Sequence, residues 1–458
     1  MPHDMDTGLT ATREVVGALF GPPAARAFDV RYWDGSSEAS GRADDARFTL
    51  VISRRGALRR MLFPPNELSI VDAYISGDLD VEGDLESAVG LGDEVERRIR
   101  DGRTIARLAR KIIALPADDH PDVAKSRFQR VAGSLARRRR GDAQAIEFHY
   151  GVSNEFYALW LDPMMLYTCA YFRTGDESIE LAQLDKLEHI CRKLRLKRGD
   201  RLLDIGCGWG GLVRYAAKNY GVEALGITLS ESQAAWGRER IRMEGLAGQC
   251  RVEVRDYRDL PAGETFDKIA SVGVTEHVPA DEQPAYFARA NALLRPGGAF
   301  LNHCEVSVDQ AHGEPVASKI AARLWKRGEF IQRYVFPDAR LVPAAHVIAS
   351  AEQSGFEVRD VESLREHYTL TLRHWIRALE NNRDGAIDLV GERTYRVWRL
   401  YMSAGAQRFH AGKLNIIQTL LSKPRADGES ELPWTREDIY EAPYPSELAR
   451  KLELRTSA

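Results

Sequence analysis

No run of 18 apolar residues occurs anywhere in the 458-residue chain, so no membrane-spanning helix is expected. Cysteine is sparse and odd in number: five residues, at 169, 191, 207, 250 and 304, with no Cys-x-x-Cys pair. Neither a disulfide framework nor a zinc ribbon is suggested, and a reducing cytoplasm is the expected compartment. The opening MPHDMDTGLT lacks a basic region followed by an apolar core, so no secretion signal is expected. Repeats and low-complexity tracts are also missing. What remains is the composition of an ordinary globular protein, 44% hydrophobic and long enough for two or three domains.

The net charge of −3 conceals a basic stretch. Residues 97–140 hold 14 Lys and Arg against four Asp, ending in Arg137-Arg138-Arg139-Arg140. Charge runs are usually solvated faces. A nucleic-acid patch would want a zinc-finger, RNA-binding or helix-turn-helix signature, and none accompanies it. An anionic lipid surface is the preferred partner, at about 1 kcal/mol per basic side chain near the headgroups.

Along the chain, residues 1–105 read as a small α+β domain. RFTLVISRRGALRRMLF is strand-like there, and ELSIVDAYISGDLDVEGDLESAVGL reads as helix, turn, helix. Residues 106–145 form a basic linker containing Pro116, Pro121 and Gly141. From 146 to 424 strands alternate with helices, the pattern of an α/β sheet. Residues 425–458 are polar and proline-containing, which suits a draped tail.

The strongest local signal is DRLLDIGCGWGGLVRYAAKNYG, residues 200–221. A short apolar strand enters a turn carrying Gly206, Gly208 and Gly211, and a helix follows. Alone, that spacing fits a dinucleotide loop only weakly. A dinucleotide site wants an acidic residue at the end of the second strand. Here that strand ends in Thr228 and Ser230, while Asp204 precedes the first glycine. These features favour S-adenosylmethionine.

Five blocks then occur in order: HYGVSNEFYALWLDPMMLYTCAYF (149–172), LDIGCGWGG (203–211), GITLSESQ (226–233), VGVTEH (272–277) and HYTLTLRHW (367–375). Together they resemble the cyclopropane fatty acid synthases and mycolic acid methyltransferases over roughly residues 48–424. The resemblance implies a Rossmann-like S-adenosylmethionine-dependent methyltransferase domain beside the smaller N-terminal α+β domain. It implies an unsaturated phospholipid as substrate, lipid docking by the N-terminal domain, peripheral membrane association and a homodimer. It carries cofactor contacts onto Tyr167, Thr168, Gly206, Gly208, Thr228, Leu229, Gln233 and Tyr257, beside Asp204.

Methylating an isolated alkene leaves a carbocation that must be shielded from water and then lose a proton. Aromatic faces suit the cation, and Tyr157, Trp160, Tyr167, Tyr171, Phe172, Tyr368 and Trp375 are candidates, core packing being their commoner fate. In the family the base is a bound bicarbonate, whose pocket maps onto Cys169, Glu276, His303 and Tyr368. The chain departs nearby: Thr275 and Pro279 flank Glu276, Gly151 ends HYG, and Cys304-Glu305 replaces an apolar pair. Glu305 and Glu147 are thus further candidate carboxylates for the base's place. The departures tilt the expected product toward a 10-methylene-branched chain, with a cyclopropane as the alternative. Two readings from other classes are a lipid-binding protein without activity and a nucleic-acid methyltransferase. The intact glycine loop opposes the first, and the absence of an amine-site Asn/Asp-Pro-Pro-Tyr motif opposes the second.

Overall fold

The computed structural model describes residues 3–41, 46–62, 66–98, 108, 110–116, 152–308, 329–335, 341–441 and 443–445. Glu147 and most of the basic stretch lie outside them. The chain forms two compact units, one comprising 1–141, 310–337 and 390–407, the other 142–309, 338–389 and 408–458. The sequence-based boundaries are continuous, whereas this division is not.

The first unit begins with α1 (His3–Phe20) and carries a four-stranded sheet of order β2-β1-β3-β4. Its strands are β1 (Asp29–Arg31), β2 (Ser37–Glu38), β3 (Phe48–Ile52) and β4 (Leu79–Gly83). β3 alternates as expected of a half-buried strand, with Phe48, Leu50 and Ile52 inward. The strand-like reading of 47–63 stops there, because the same run continues as α2 (Ala57–Leu62). α3 (Glu67–Ile75) follows, capped by Asn66, whose Oδ1 accepts from Ser69 N at 2.8 Å. The expected turn before α4 (Leu85–Arg98) is β4 instead. Its alternating Leu79, Asp80, Val81 and Glu82 pair antiparallel with β3 and bury only Leu79 and Val81. The 390–407 segment belongs here through Arg399, which donates to the Val81 and Gly83 carbonyls at 3.0 and 2.9 Å.

In the second unit, α5 (Asn154–Ala158) and α6 (Ile179–Leu194) precede a seven-stranded sheet. The elements are β5 (Arg201–Ile205), α7 (Gly211–Tyr220), β6 (Glu223–Thr228), α8 (Glu231–Met243), β7 (Cys250–Val254), β8 (Phe266–Val272), α9 (Gln283–Leu293) and β9 (Leu294–Ser307). After α10 (Glu329–Tyr334), which counts with the first unit, come α11 (Ala344–Gln353), β10 (Glu357–Ser363), α12 (Arg365–Asn381), α13 (Arg383–His410), β11 (Leu414–Ser422) and α14 (Glu437–Tyr440). Helix α13 is broken at Gly391 (φ 78°, ψ 155°), beside the point where the chain changes unit.

The sheet order is β10-β11-β9-β8-β5-β6-β7, parallel from β7 to β9 and antiparallel at β11 and β10. Strand order reverses between β5 and β8, and ligands of open α/β sheets bind at the carboxyl ends beside such a reversal. Alternate residues feed two cores, Leu202 and Leu301 on one face, Leu203 and Phe300 on the other. The described part of the tail is mostly exposed and is anchored by three buried residues, Leu432, Ile439 and Tyr444. Tyr444 is buried between the guanidinium groups of Arg173 and Arg192, 4.2 and 4.4 Å from its ring. Among the described residues, no helix is long and apolar enough to cross a membrane.

Candidate active site

The glycine loop leaves β5 and enters α7 with Gly206, Gly208 and Gly210 all at positive φ. At Gly206 (φ 77°) a Cβ would stand 2.3 Å from Val274 Cγ2, so both torsion and space demand glycine. At Gly208 (φ 53°) a Cβ would meet nothing within 4 Å. The loop borders a cavity of about 210 Å³. All nine positions expected to hold the cofactor line it: Tyr167, Thr168, Asp204, Gly206, Gly208, Thr228, Leu229, Gln233 and Tyr257. Thr228 Oγ1 donates to Gln233 Oε1 at 2.9 Å, so the strand end and the first turn of α8 are joined. Ser230, which replaces the acid of a dinucleotide site, caps α8.

The lining residues not singled out from the sequence include Lys186, Asp256 and His277. Lys186 is the most telling. It is 1% exposed, and its Nζ donates to Thr168 Oγ1 at 2.7 Å. Burial presses its pKa down to about 8, while Asp162, Cys169 and Asp204 hold it up. Burial also lifts Asp204 to about 7, opposed by Lys186. A lysine inside the amphipathic pattern LAQLDKLEHI carries no mark of burial, so only the packing of α6 reveals it.

Beyond the cavity lie the groups expected to manage protons. His303 and Glu305 are two residues apart on β9 and share a face; Asn302 and Cys304 face the opposite core. Cys304 therefore faces away from His303 and Glu305, and its sulfur accepts from the Asn302 amide at 3.5 Å. Glu305 is lifted to about 7 by burial, and the Tyr368 hydroxyl hydrogen-bonds its carboxylate. Glu276 is lifted to about 8, first by burial and then by the charge of Glu305, whose backbone N–H it accepts. Its Oε2 is buried with no partner among the described residues. Cys169 is fully buried, its thiol driven up by desolvation and, more weakly, by Glu305. The structure thus gathers Cys169, Glu276, Glu305 and Tyr368 in one neighbourhood.

His303 lies one pleat away, 1% exposed. Its Nδ1 is 3.1 Å from Gln418 Nε2, and its Nε2 is buried without a partner among the described residues. Of the seven candidate aromatics, five form one cluster: Tyr157, Trp160, Tyr167, Trp375 and Tyr368, with successive ring centroids 5.3–6.2 Å apart. The other two depart from it. Tyr171 stacks on His189 and His367, and Phe172 on His374. No metal-binding cluster occurs among the described residues.

Comparison with known proteins places this geometry. A probable fatty acid methyltransferase of Pseudomonas putida is 40% identical over 423 residues, covering 92% of this chain and 98% of that protein. One of Mycobacterium tuberculosis is 37% identical over 437 residues, covering 94% and 98%. The solved structure of a mycolic acid cyclopropane synthase complexed with SAH and CTAB superposes with a TM-score of 0.58 at 32% identity, over 62% of this chain and 99% of that one. Residues 16–91 match a domain family of unknown function. Residues 137–419 match the mycolic acid cyclopropane synthetase family, and the chain, built on the Rossmann-like fold of the S-adenosylmethionine-dependent methyltransferases, belongs to it.

Proposed function

We propose that the protein transfers a methyl group from S-adenosylmethionine to the double bond of an unsaturated phospholipid acyl chain, oleoyl in the first instance, and releases a 10-methylene-branched chain. The observation that carries this reading is a cavity of about 210 Å³, lined by all nine positions expected to hold the cofactor, beside a half-buried pair of carboxyls, Glu276 and Glu305, whose proton affinities are raised into the neutral range. The named relatives, fatty acid methyltransferases, support the substrate class.

S-adenosylmethionine supplies an electrophilic methyl group. The alkene's π electrons form the new carbon–carbon bond as the carbon–sulfur bond breaks, which leaves a cation on the chain. Trp160, Tyr167, Trp375 and Tyr368 offer ring faces and exclude water. A hydride shift along the chain followed by loss of a methyl proton gives the exomethylene group. Glu305, held by Tyr368 and titrating near neutrality, is positioned to take that proton. A second reading has a specific observation behind it. The unpartnered Glu276 Oε2 and His303 Nε2 are buried polar atoms that a small oxyanion would satisfy, so Cys169, Glu276, His303 and Tyr368 fit bicarbonate as the base.

The basic stretch 97–140 is assigned to docking on an anionic membrane surface from the cytoplasmic side, and the working form to a homodimer. No nucleic acid is involved. Incubation with S-adenosylmethionine and dioleoyl phospholipid, followed by proton NMR of the extracted lipid, tests the product. Exomethylene protons resonate far downfield of cyclopropane protons. A cyclopropane signal would overturn the 10-methylene assignment, and no methylated lipid at all would overturn the substrate.

A further inference from the structure

Residues 303 and 418 face one another across β9 and β11, in the register that pairs His303 with Gln418. Both side chains are sealed, at 1% and 0% exposure. The Gln418 amide nitrogen faces His303 Nδ1 at 3.1 Å. In this orientation the amide, whose own Oε1 is buried without a partner among the described residues, turns its nitrogen to the ring. An amide nitrogen can only donate, which makes Nδ1 the accepting nitrogen of a neutral ring and puts the ring's one proton on Nε2. That Nε2 is the buried atom with no partner among the described residues.

We propose that Gln418 is a positioning residue: it fixes His303 as the neutral Nε2–H tautomer, so that the imidazole serves the proton-removal pocket as a hydrogen-bond donor to an oxyanion and not as the base. The inference rests on the reading of that pocket given above and adds a residue and a direction of donation to it. The surroundings agree. The charged and titratable groups facing the ring are Lys186, Lys193 and His189 from α6 and Glu362 from β10. Burial, then the ammonium groups of Lys186 and Lys193, press its pKa down to about 3 against the pull of Glu362. The imidazole is therefore uncharged at working pH. A neutral donor binds an anion's oxygen without adding a cation close to the reacting chain. A sealed N–H left without an acceptor is costly to keep for packing alone.

The test uses the full chain labelled with ¹⁵N-histidine, whose long-range proton–nitrogen spectrum reports each tautomer; His303 is assigned by its loss in His303→Ala. The expected wild-type spectrum has a protonated Nε2 and a bare Nδ1 at His303. In Gln418→Glu the new carboxylate accepts from Nδ1–H, and the tautomer should invert. Gln418→Met keeps the volume and removes the donor, so it guards against a variant that misfolds. Both should bind S-adenosylhomocysteine as the wild type does while losing turnover by roughly 10- to 100-fold, the usual scale for a partner that orients an imidazole. A protonated Nδ1 in the wild type overturns the inference, as does wild-type turnover with an unchanged tautomer in Gln418→Met. Full turnover in His303→Ala, by contrast, would sink the pocket assignment itself.

Discussion

Replacing Glu305 by Gln tests the site through stability as well as rate. Glu305 carries a carboxyl lifted by burial from an ordinary 4.5 to about 7. A carboxyl with a raised folded-state pKa binds its proton more tightly in the native chain than in the unfolded one. Its contribution to stability is therefore intact below about pH 4.5 and is lost as pH rises through 7. The full displacement corresponds to roughly 3 kcal/mol, at about 1.4 kcal/mol per tenfold change in proton affinity. Because the side chain keeps some exposure, Glu305→Gln is expected to gain about 1–3 kcal/mol at pH 8, falling to under about 1 kcal/mol at pH 5. The amide keeps the shape and an oxygen for the Tyr368 hydroxyl. Removing the charge also relieves Glu276, whose proton affinity Glu305 raises. Urea unfolding at pH 5 and pH 8 measures the difference. A variant less stable than the wild type at pH 8, or a difference that ignores pH, would refute the account of a strained, desolvated carboxyl. Turnover reads the second half. A large loss identifies the protein carboxylate as the base or its close partner, whereas wild-type turnover that depends on added bicarbonate puts the base on the bound ion.

Three further outcomes are expected. Gly208→Ala places a methyl group in the open space at the cavity and costs about 1 kcal/mol for its left-handed backbone, so S-adenosylhomocysteine affinity should drop at least tenfold in a folded protein; unchanged affinity in calorimetry would remove the loop from the cofactor site. Tyr444→Ala empties the slot between Arg173 and Arg192 and strips His189 Nδ1 of its hydroxyl partner at 2.7 Å, which should lower unfolding stability by about 3 kcal/mol; a change under about 1 kcal/mol would show the tail to be a loose cover. Binding to anionic vesicles should weaken as salt rises, and equal binding to neutral vesicles in a co-sedimentation assay would end the docking role of residues 97–140.

What the sequence determined by itself was whatever contiguous residues enforce. A strand, a turn that only glycine can make and a helix start are written within residues 200–221, and the structure shows the physical reason in the positive φ of Gly206 and the contact awaiting any Cβ there. The nine positions expected to hold the cofactor line one cavity, most of them on or beside strand ends whose order the α/β pattern already implied. Tertiary structure decided the rest. The two-residue period of β9 turned His303 and Glu305 toward the site and Cys304 away from it, a choice that depends on which core each face meets. It made β4 a strand where a turn was expected, since Leu79 and Val81 become core residues only once β3 lies alongside. It buried Lys186 and set Gln418 against a histidine 115 residues away, and neither side chain carries a local sign of its place. Desolvation belongs to the same class. The raised carboxyls of Glu276 and Glu305 and the lowered imidazole of His303 are properties of an enclosure, and distant segments build an enclosure only when the chain has folded.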